Sequence, residues 1–97
     1  MIVSFGDPAT EDVFHNRSTS KTRRFPNTMI AGAQLKLDML NAAASIMDLR
    51  APPGSRLEML KGNLKGRYSI RVNDQWRLVF RWDDHDAHDV RLTDYHN

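Results

Sequence analysis

Hydrophobic and polar residues alternate strictly in two neighbouring stretches of the chain, residues 67–72 and residues 76–82. A period of two is typical of β-strands that have one buried face. The apolar positions, which we expect to face the core, are Tyr68, Ile70, Val72, Trp76, Leu78, Phe80 and Trp82. The two stretches are therefore predicted to form an antiparallel hairpin with one apolar face and one charged face.

The loop of this hairpin decides which residues lie opposite each other. Only a loop of odd length keeps the apolar residues of both strands on one face, and residues 73–75 meet that condition. This register places Arg71 opposite Arg77 and Arg67 opposite Arg81. Like charges directly across a ladder are destabilising, so stability alone explains the four arginines poorly. Lys61 and Lys65, on or beside the preceding strand, extend the patch and favour an anion-binding surface. The alternative is a solvated arginine face that is screened by salt.

The first half of the chain predicts a strand and two helices. Residues 2–5 form a short β-branched and aromatic run, which is typical of a strand. Asp7 and Pro8 supply an N-cap and a proline at the first helical position, so we expect a helix over residues 8–16. Residues 17–25 have no periodicity and are expected to form an exposed loop.

A longer helix is predicted over residues 27–48, because apolar residues recur there at intervals of three and four. The apolar stripe consists of Ile30, Ala33, Leu37, Leu40, Ala44 and Met47, and it is widened by Leu35 and Met39. Residues 50–54 contain two prolines and a glycine, which should end the helix and turn the chain.

Two further strands are predicted on either side of the hairpin, over residues 56–61 and residues 88–95. In the first, Leu57 and Met59 should lie on one face and Glu58 and Leu60 on the other. The order is thus strand, helix, helix and a meander of three or four strands. It predicts one α+β domain over residues 1–97, with two N-terminal helices on one face of a small antiparallel sheet.

The last predicted strand bears on the chain end, TDYHN. Because Val90 and Leu92 are its core positions, Arg91, Thr93 and Tyr95 should lie on the face that carries the arginines. Tyr95 is therefore a candidate for the edge of a cationic phosphate site. The residues on either side of it are Asp94 and His96.

The net charge of +2 is distributed unevenly along the chain. Residues 50–81 hold eight basic and two acidic side chains, a balance of +6, whereas residues 82–97 hold one basic and five acidic side chains, a balance of −4. The basic residues of the first segment are Arg50, Arg56, Lys61, Lys65, Arg67, Arg71, Arg77 and Arg81. This cationic segment indicates an anionic partner such as nucleic acid.

Other features of the composition narrow the class of protein. The chain has no cysteine for disulfide or thiolate chemistry, no apolar run of membrane-spanning length and no signal-peptide pattern, so a soluble cytoplasmic protein is expected. The sequence DDHDAHD at residues 83–89 is interpreted as a polar β-turn rather than a cation site. The basic sequence KTRRF at residues 21–25 either contacts RNA or a partner, or is a disordered loop.

Three segments occur in an informative order and spacing: RLEMLKG at residues 56–62, YSIRVNDQWRLVFRW at residues 68–82 and DYH at residues 94–96. Together they resemble the HigB toxins of bacterial toxin-antitoxin pairs, within the RelE and ParE superfamily. The resemblance covers essentially the whole chain, because the N-terminal segment, the KTRRFP stretch and the long helix also fall in the expected order. It implies the RelE-like microbial RNase fold.

The resemblance also implies a function and a site. HigB toxins are endoribonucleases that cleave messenger RNA in the A site of the translating 70S ribosome and are neutralised by a HigA-type antitoxin. The resemblance implies no cofactor and no metal, and a toxin that is a monomer on its own and joins a larger assembly with its antitoxin. The catalytic positions that it carries over are Lys61, Arg77, Asp94, Tyr95 and His96. Some HigB toxins have the sequence RLHPLKG where this chain has Glu58 and Met59, which leaves a proton-transfer role at that position open.

These residue types suit metal-free cleavage of RNA, in which the 2′-hydroxyl attacks the phosphate and the 5′-oxygen leaves with a proton. Lys61 and Arg77 can supply fixed cations, and His96 is the natural proton carrier. Tyr95 can stack, donate a hydrogen bond or act as a base, and Asp94 can orient His96 or a sugar hydroxyl. The cations expected to bind substrate are Lys65, Arg67, Arg71 and Arg81. Two other functions stay open: a gyrase-directed toxin of the ParE type and a non-catalytic nucleic-acid-binding module.

Overall fold

The computed structural model describes residues 1–50 and 55–94, and the antiparallel sheet lies in the second of these ranges. Within the described residues its strands are β1 (Glu58–Met59), β2 (Arg67–Arg71), β3 (Trp76–Asp83) and β4 (Asp86–Asp94). The strands follow one another in space as they do in sequence, and each is antiparallel to its neighbour. The predicted meander is therefore confirmed.

The hairpin of β2 and β3 has the register that the alternation predicts. Arginine lies opposite arginine at both ends of the ladder. The side-chain oxygen of Asn73 closes the three-residue loop by accepting hydrogen bonds from the backbone N–H groups of Gln75 and Trp76, both at 2.8 Å. Short asparagine side chains favour such turns because they can replace a backbone acceptor. The apolar residues of both strands consequently face the same side.

A β-bulge interrupts the pairing of β3 with β4. Asp89 and Val90 together lie opposite the single residue Phe80. Asp89 has a φ of 54°, in the left-handed region that a bulge residue of this kind requires. Because the bulge adds one residue to the alternation, Ala87 and Val90 both reach the core although they are three positions apart.

The described residues before the sheet form two α-helices, α1 (Pro8–Phe14) and α2 (Asn27–Ala42), and two 3₁₀ helices, Ser20–Arg24 and Ile46–Leu49. The helices cover one face of the sheet. Their buried apolar residues include Ala9, Val13, Met29, Ala33, Leu37, Leu40 and Leu49, and those of the sheet include Ile70, Leu78, Phe80, Ala87, Val90 and Leu92. The predicted α+β architecture is confirmed. None of the described helices is long and apolar enough to cross a membrane.

The helix predicted over residues 27–48 is too long at its C-terminal end, since α2 stops at Ala42. Ser45 begins a new 3₁₀ helix instead. Its side-chain oxygen accepts from the N–H of Met47 at 3.2 Å, and the Asp48 carboxylate accepts from the N–H of Ser45 at 3.1 Å. This reciprocal capping box satisfies N–H groups that a continuous helix would have used internally.

The apolar stripe of α2 is correspondingly wrong beyond Leu40. Ala44 and Met47, which the periodicity placed in the core, are exposed, and Leu35 is exposed as well. Ala43 and Leu49 are buried in their place. The change from α-helix to 3₁₀ helix rotates the chain, so a different set of residues points inward.

The predicted strand over residues 2–5 forms only two isolated parallel bridges to β4. The bulge lies between these bridges and breaks the regular ladder. The N–H of Asp89 donates to the side-chain oxygen of Ser4 at 2.9 Å, and farther along the edge the N–H of Leu92 donates to Thr10 Oγ1 at 2.9 Å. The N-terminal segment and α1 therefore cover the edge of β4, which would otherwise present free backbone groups.

Two smaller predictions also change, and a third is not tested. Residues 17–25 were expected to be an exposed loop, but they contain the first 3₁₀ helix and end at buried Phe25, which packs edge-on against Trp76 with ring centroids 5.3 Å apart. The strand predicted over residues 56–61 is reduced to the two residues of β1. The helix stop predicted at residues 50–54 lies largely outside the described residues.

Candidate nucleic-acid interface

The face of the sheet opposite the helices carries its side chains in three rows about 7 Å apart, the spacing of alternate residues in a strand. The first row contains Arg71, Arg77 and Thr93, the second contains Ser69, Val79 and Arg91, and the third contains Arg67 and Arg81. We call this surface the cationic face and include in it Lys61 and Lys65, which lie between β1 and β2. Five arginines and two lysines thus share one side of the molecule.

Carboxylates compensate the arginines that face one another across the hairpin. The pairs are Arg71 with Asp74, Arg77 with Glu58 at 3.4 Å, Arg81 with Asp89 at 2.9 Å and Arg67 with Asp89 at 3.8 Å. The repulsion that the sequence implied is therefore reduced within the fold. The arginines alone do not require an external anion, and the case for a binding surface rests on the geometry of the individual side chains.

Arg77 is held more deeply than the other three arginines of the hairpin. Its side chain is 9% exposed, against 26% for Arg67 and 45% for Arg81. Its Nη2 donates to the backbone carbonyl of Arg56 at 2.6 Å, and its Nη1 donates to Glu58 Oε1 at 3.4 Å. Because two segments hold the guanidinium, its charge is fixed in position.

Glu58 contacts the cationic face, and the sequence left its role open. It lies in β1 opposite Ser69, its side chain is half exposed, and it contacts Arg77. The residues after it depart from the expected pattern, because Met59 is exposed and Leu60 is buried. The predicted alternation in this strand correctly put Glu58 and Leu57 on different faces of the sheet. It gave no sign that the carboxylate reaches an arginine two strands away.

Asp89 is a second carboxylate that contacts the cationic face, and the sequence did not single it out. Its Oδ2 accepts a hydrogen bond from Arg81 Nε at 2.9 Å and lies 3.8 Å from Arg67 Nη2. The hydrogen bond from Arg81 lowers the pKa of the Asp89 carboxyl below its usual value. The charges of Arg81, Arg67 and Arg91 act in the same direction, and desolvation opposes them. Asp89 is thus held as an anion among three arginines.

A cleft of about 260 Å³ opens on the cationic face, lined by Leu64, Arg67, Val79, Arg91 and Thr93. Leu64 and Val79 supply apolar surface, and the two arginines supply charge. Arg67 Nη1 is buried and has no hydrogen-bond partner among the described residues. Apolar surface flanked by arginines suits a nucleotide, whose base stacks or packs while its phosphate accepts hydrogen bonds.

The two lysines occupy the exposed turn between β1 and β2. Lys61 and Lys65 flank a short 3₁₀ helix, Gly62–Leu64, and both are exposed. Gly62 and Gly66 have φ values of 67° and 90°, which glycine adopts without strain. Neither lysine forms an ion pair with another described residue. Their charges are available to a ligand.

The chain end is described only as far as Asp94. Asp94 lies opposite Trp76 and accepts a hydrogen bond from Gln75 Nε2 at 3.1 Å. Since cross-strand partners project to the same side, Asp94 shares the side of Trp76, whereas its neighbour Thr93 lies opposite Arg77 on the cationic face. Tyr95 and His96 lie outside the described residues, and their roles stay predictions.

The fold is that of known bacterial toxins. The structure matches a mutant of YafQ from E. coli with a TM-score of 0.64 and 16% sequence identity, over 98% of this chain and 94% of that chain. It matches the YoeB-YefM complex from Staphylococcus aureus with a TM-score of 0.60 and 24% identity, over 100% of this chain and 99% of that chain. These likenesses define the class of fold, that of the RelE-like toxins.

The sequence then identifies the family. The family model of the RelE-like toxin of type II toxin-antitoxin system HigB matches residues 4–96. Toxin HigB-1 of Vibrio cholerae is 43% identical over 84 residues, which are 87% of this chain and 86% of that protein. An uncharacterized protein of Haemophilus influenzae is 36% identical over 69 residues, 71% of this chain and 68% of that protein. The chain belongs to the HigB-like toxins, which confirms the resemblance drawn from its motifs.

Proposed function

We propose that this toxin is an endoribonuclease that cleaves messenger RNA in the A site of the 70S ribosome, and that a HigA-type antitoxin neutralises it. The observation that carries the proposal is the cationic face, where a cleft suited to a nucleotide is lined by Arg67 of β2, Val79 of β3 and Arg91 of β4. Membership of a toxin family whose members are generally RNases supports the same reaction.

The chemistry is assigned to Arg77, to Glu58, which contacts it, and to Lys61 and His96. The 2′-hydroxyl attacks the adjacent phosphate, and the fixed guanidinium of Arg77 stabilises the charge that develops on the phosphorane. The half-exposed carboxylate of Glu58 accepts the proton of the 2′-hydroxyl. Lys61 adds a second cation, and His96 donates a proton to the leaving 5′-oxygen. Each of these steps is a proposal about this chain.

The shape of the site supports the proposed ribosome dependence. The cationic face is the open surface of a sheet, and Arg81 at its edge is 45% exposed. Such a surface attracts RNA but does not by itself orient a 2′-hydroxyl in line with the scissile bond. A messenger that the ribosome already holds in an extended conformation removes that requirement.

The reaction is proposed to need no metal ion, because the arginines supply the charge that a metal would otherwise provide. The carboxylates of the cationic face are Glu58, Asp74 and Asp89, and each is paired with an arginine. Among the described residues, no group of three or more histidine, aspartate or glutamate side chains is arranged to hold a metal ion.

Mapping of 5′ ends on programmed ribosomes tests the activity. Wild-type toxin should cut within the A-site codon. Arg77→Ala should reduce the rate by about 100-fold or more, the usual effect of removing a donor that stabilises the transition state. Arg50→Ala, which removes an exposed arginine outside the cationic face, is the control and should cut normally. If folded, antitoxin-free wild-type toxin makes no cuts, the proposal fails, and gyrase supercoiling becomes the next assay.

A modified messenger tests the mechanism. Replacing the 2′-hydroxyl at the cleavage position by hydrogen should abolish cutting, and the normal messenger should yield a 2′,3′-cyclic phosphate end. Attack by a metal-bound hydroxide would tolerate the deoxy substitution and leave a different end. Cleavage of the deoxy messenger would therefore reject the 2′-hydroxyl mechanism while keeping the RNase activity.

A further inference from the structure

One carboxylate, that of Asp89, lies among the arginines of the cationic face. Asp89 accepts a hydrogen bond from Arg81 at 2.9 Å and lies 3.8 Å from Arg67, which faces Arg81 across the hairpin. The Asp89 side chain is 37% exposed, so a ligand in solution can reach it. An acidic side chain thus sits where an RNA phosphate would bind the same two arginines.

The backbone is shaped to hold that carboxylate in place. Asp89 is the bulge residue of β4, with a φ of 54°, and its N–H donates to Ser4 Oγ at 2.9 Å. Aspartate and asparagine adopt this left-handed conformation more readily than other residues apart from glycine. The bulge therefore places an acidic group beside the cross-strand pair of Arg67 and Arg81.

Asp89 satisfies these arginines incompletely. At 3.8 Å the contact with Arg67 is an ion pair but not a hydrogen bond. Arg67 Nη1 is buried without a hydrogen-bond partner among the described residues, beside the cleft. A phosphate group carries more acceptor oxygens than a carboxylate and can accept from both guanidinium groups at once. The site is better matched to a phosphate than to the side chain that occupies it.

We propose that Asp89 is an internal competitor for the phosphate site: its carboxylate holds Arg67 and Arg81 when RNA is absent, and an RNA phosphate must displace it. This inference rests on the proposed function, because it takes RNA as the ligand of the cationic face. The consequence is a lowered affinity for RNA free in solution. Messenger that the ribosome presents at high local concentration still displaces the carboxylate.

Asp89→Asn tests the competition, because asparagine keeps the shape and tolerates the left-handed backbone. Asp84→Asn is the matched control. Asp84 lies in the β3–β4 turn with a φ of 49°, and it forms no ion pair with another described residue.

The probe is a fluorescein-labelled single-stranded RNA with 2′-O-methyl groups, which prevent cleavage. Asp89→Asn should lower its Kd about three- to tenfold, the effect of removing one charge about 7 Å from a phosphate at the surface. Asp84→Asn should change it less than about twofold.

An Asp89→Asn variant that binds RNA no better than Asp84→Asn would overturn the inference and make Asp89 a positioning residue for the arginines. If the variant does not fold, displacement of Asp89 is tested on wild-type toxin instead. The Nε–Hε resonance of Arg81 should shift in NMR spectra as inorganic phosphate replaces Asp89, and an unchanged resonance at saturation would reject displacement. Cleavage on ribosomes is measured in parallel. If wild-type toxin cleaves normally but Asp89→Asn does not change RNA binding, only this inference is rejected. If Asp89→Asn strengthens RNA binding but wild-type toxin does not cleave, only the proposed RNase activity is rejected.

Discussion

Arg77 joins two segments through the two ends of one guanidinium, since it donates to Glu58 and to the carbonyl of Arg56. A lysine has the same charge but cannot reach both acceptors. We therefore expect Arg77→Lys to slow messenger cleavage about 10–100-fold and to lower the free energy of unfolding by about 1–3 kcal/mol. Single-turnover cleavage and urea denaturation measure the two effects, with Arg50→Lys as the control. A wild-type rate in Arg77→Lys would mean that charge alone suffices.

Asp89 should make the stability of the toxin depend on pH. Its pKa is lowered in the folded state, mainly by the hydrogen bond from Arg81. The stabilisation is therefore fully present above the unfolded pKa, near 3.9, and is lost as the pH falls through the lowered folded value. Wild type should be more stable than Asp89→Asn at pH 6, and the difference should shrink as acidification proceeds below about pH 4. Urea denaturation from pH 6 to pH 3 measures it. A difference independent of pH, or equal to that of Asp84→Asn, would contradict the expectation.

The sequence predicted which arginines of the hairpin face one another but not their acidic partners. Arg71, Arg77, Arg67 and Arg81 face one another as the alternation predicts. Glu58 reaches Arg77 across 19 positions of sequence, and Asp89 reaches Arg81 only because a bulge turns it there. Such contacts depend on which strands become neighbours and on local backbone geometry, which residue spacing does not report.

At the scale of whole elements, α1 is attached to β4 through one buried hydroxyl. Thr10 is fully buried, and its Oγ1 accepts the N–H of Leu92 at 2.9 Å. Thr10→Val keeps the size of the side chain but leaves that N–H unsatisfied, which should cost about 1–3 kcal/mol. Hydrogen exchange of the Leu92 amide should accelerate markedly, while the Ile70 amide in β2 should change only in proportion to global stability. Equal protection of Leu92 in variant and wild type would show that another acceptor replaces the hydroxyl.

The elements predicted correctly are those on which two signals agree. The hairpin was right because its two alternations permit only one register with a shared apolar face. The end of α2 was wrong because Ala44 and Met47 continued the helical spacing by chance, although Ser45 and Asp48 form a visible capping box. The spacing of three between Ala87 and Val90 was likewise a sign of the bulge. The capping box ends α2 although the helical spacing continues, and the bulge shifts the alternation of β4 by one residue.

Across the whole molecule, charge is segregated by face. The cationic face carries seven basic side chains, Lys61, Lys65, Arg67, Arg71, Arg77, Arg81 and Arg91, against three paired carboxylates, Glu58, Asp74 and Asp89. Its balance of +4, seven minus three, exceeds the net charge of +2 of the entire chain. The remainder of the molecule is therefore slightly acidic. This polarity should orient the toxin toward RNA and steer its approach.

The salt dependence of RNA binding reports how much of that charge a ligand meets. Single-stranded nucleic acid releases counterions with a slope of about −0.7 per phosphate neutralised. If Glu58 and Asp74 keep compensating their arginines while RNA displaces Asp89, about five phosphates are neutralised, and a plot of log K against log salt should have a slope of about −3.5. If RNA met seven uncompensated cations, the slope would approach about −5.

Fluorescence anisotropy between 50 and 300 mM salt separates these values. Asp89→Asn should raise the affinity at every salt concentration without steepening the slope, because RNA meets the same cations once it has displaced the wild-type carboxylate, and Asp84→Asn should change neither quantity appreciably. A wild-type slope near zero would show that the face binds RNA without neutralising phosphates, contrary to the electrostatic role assigned to its arginines.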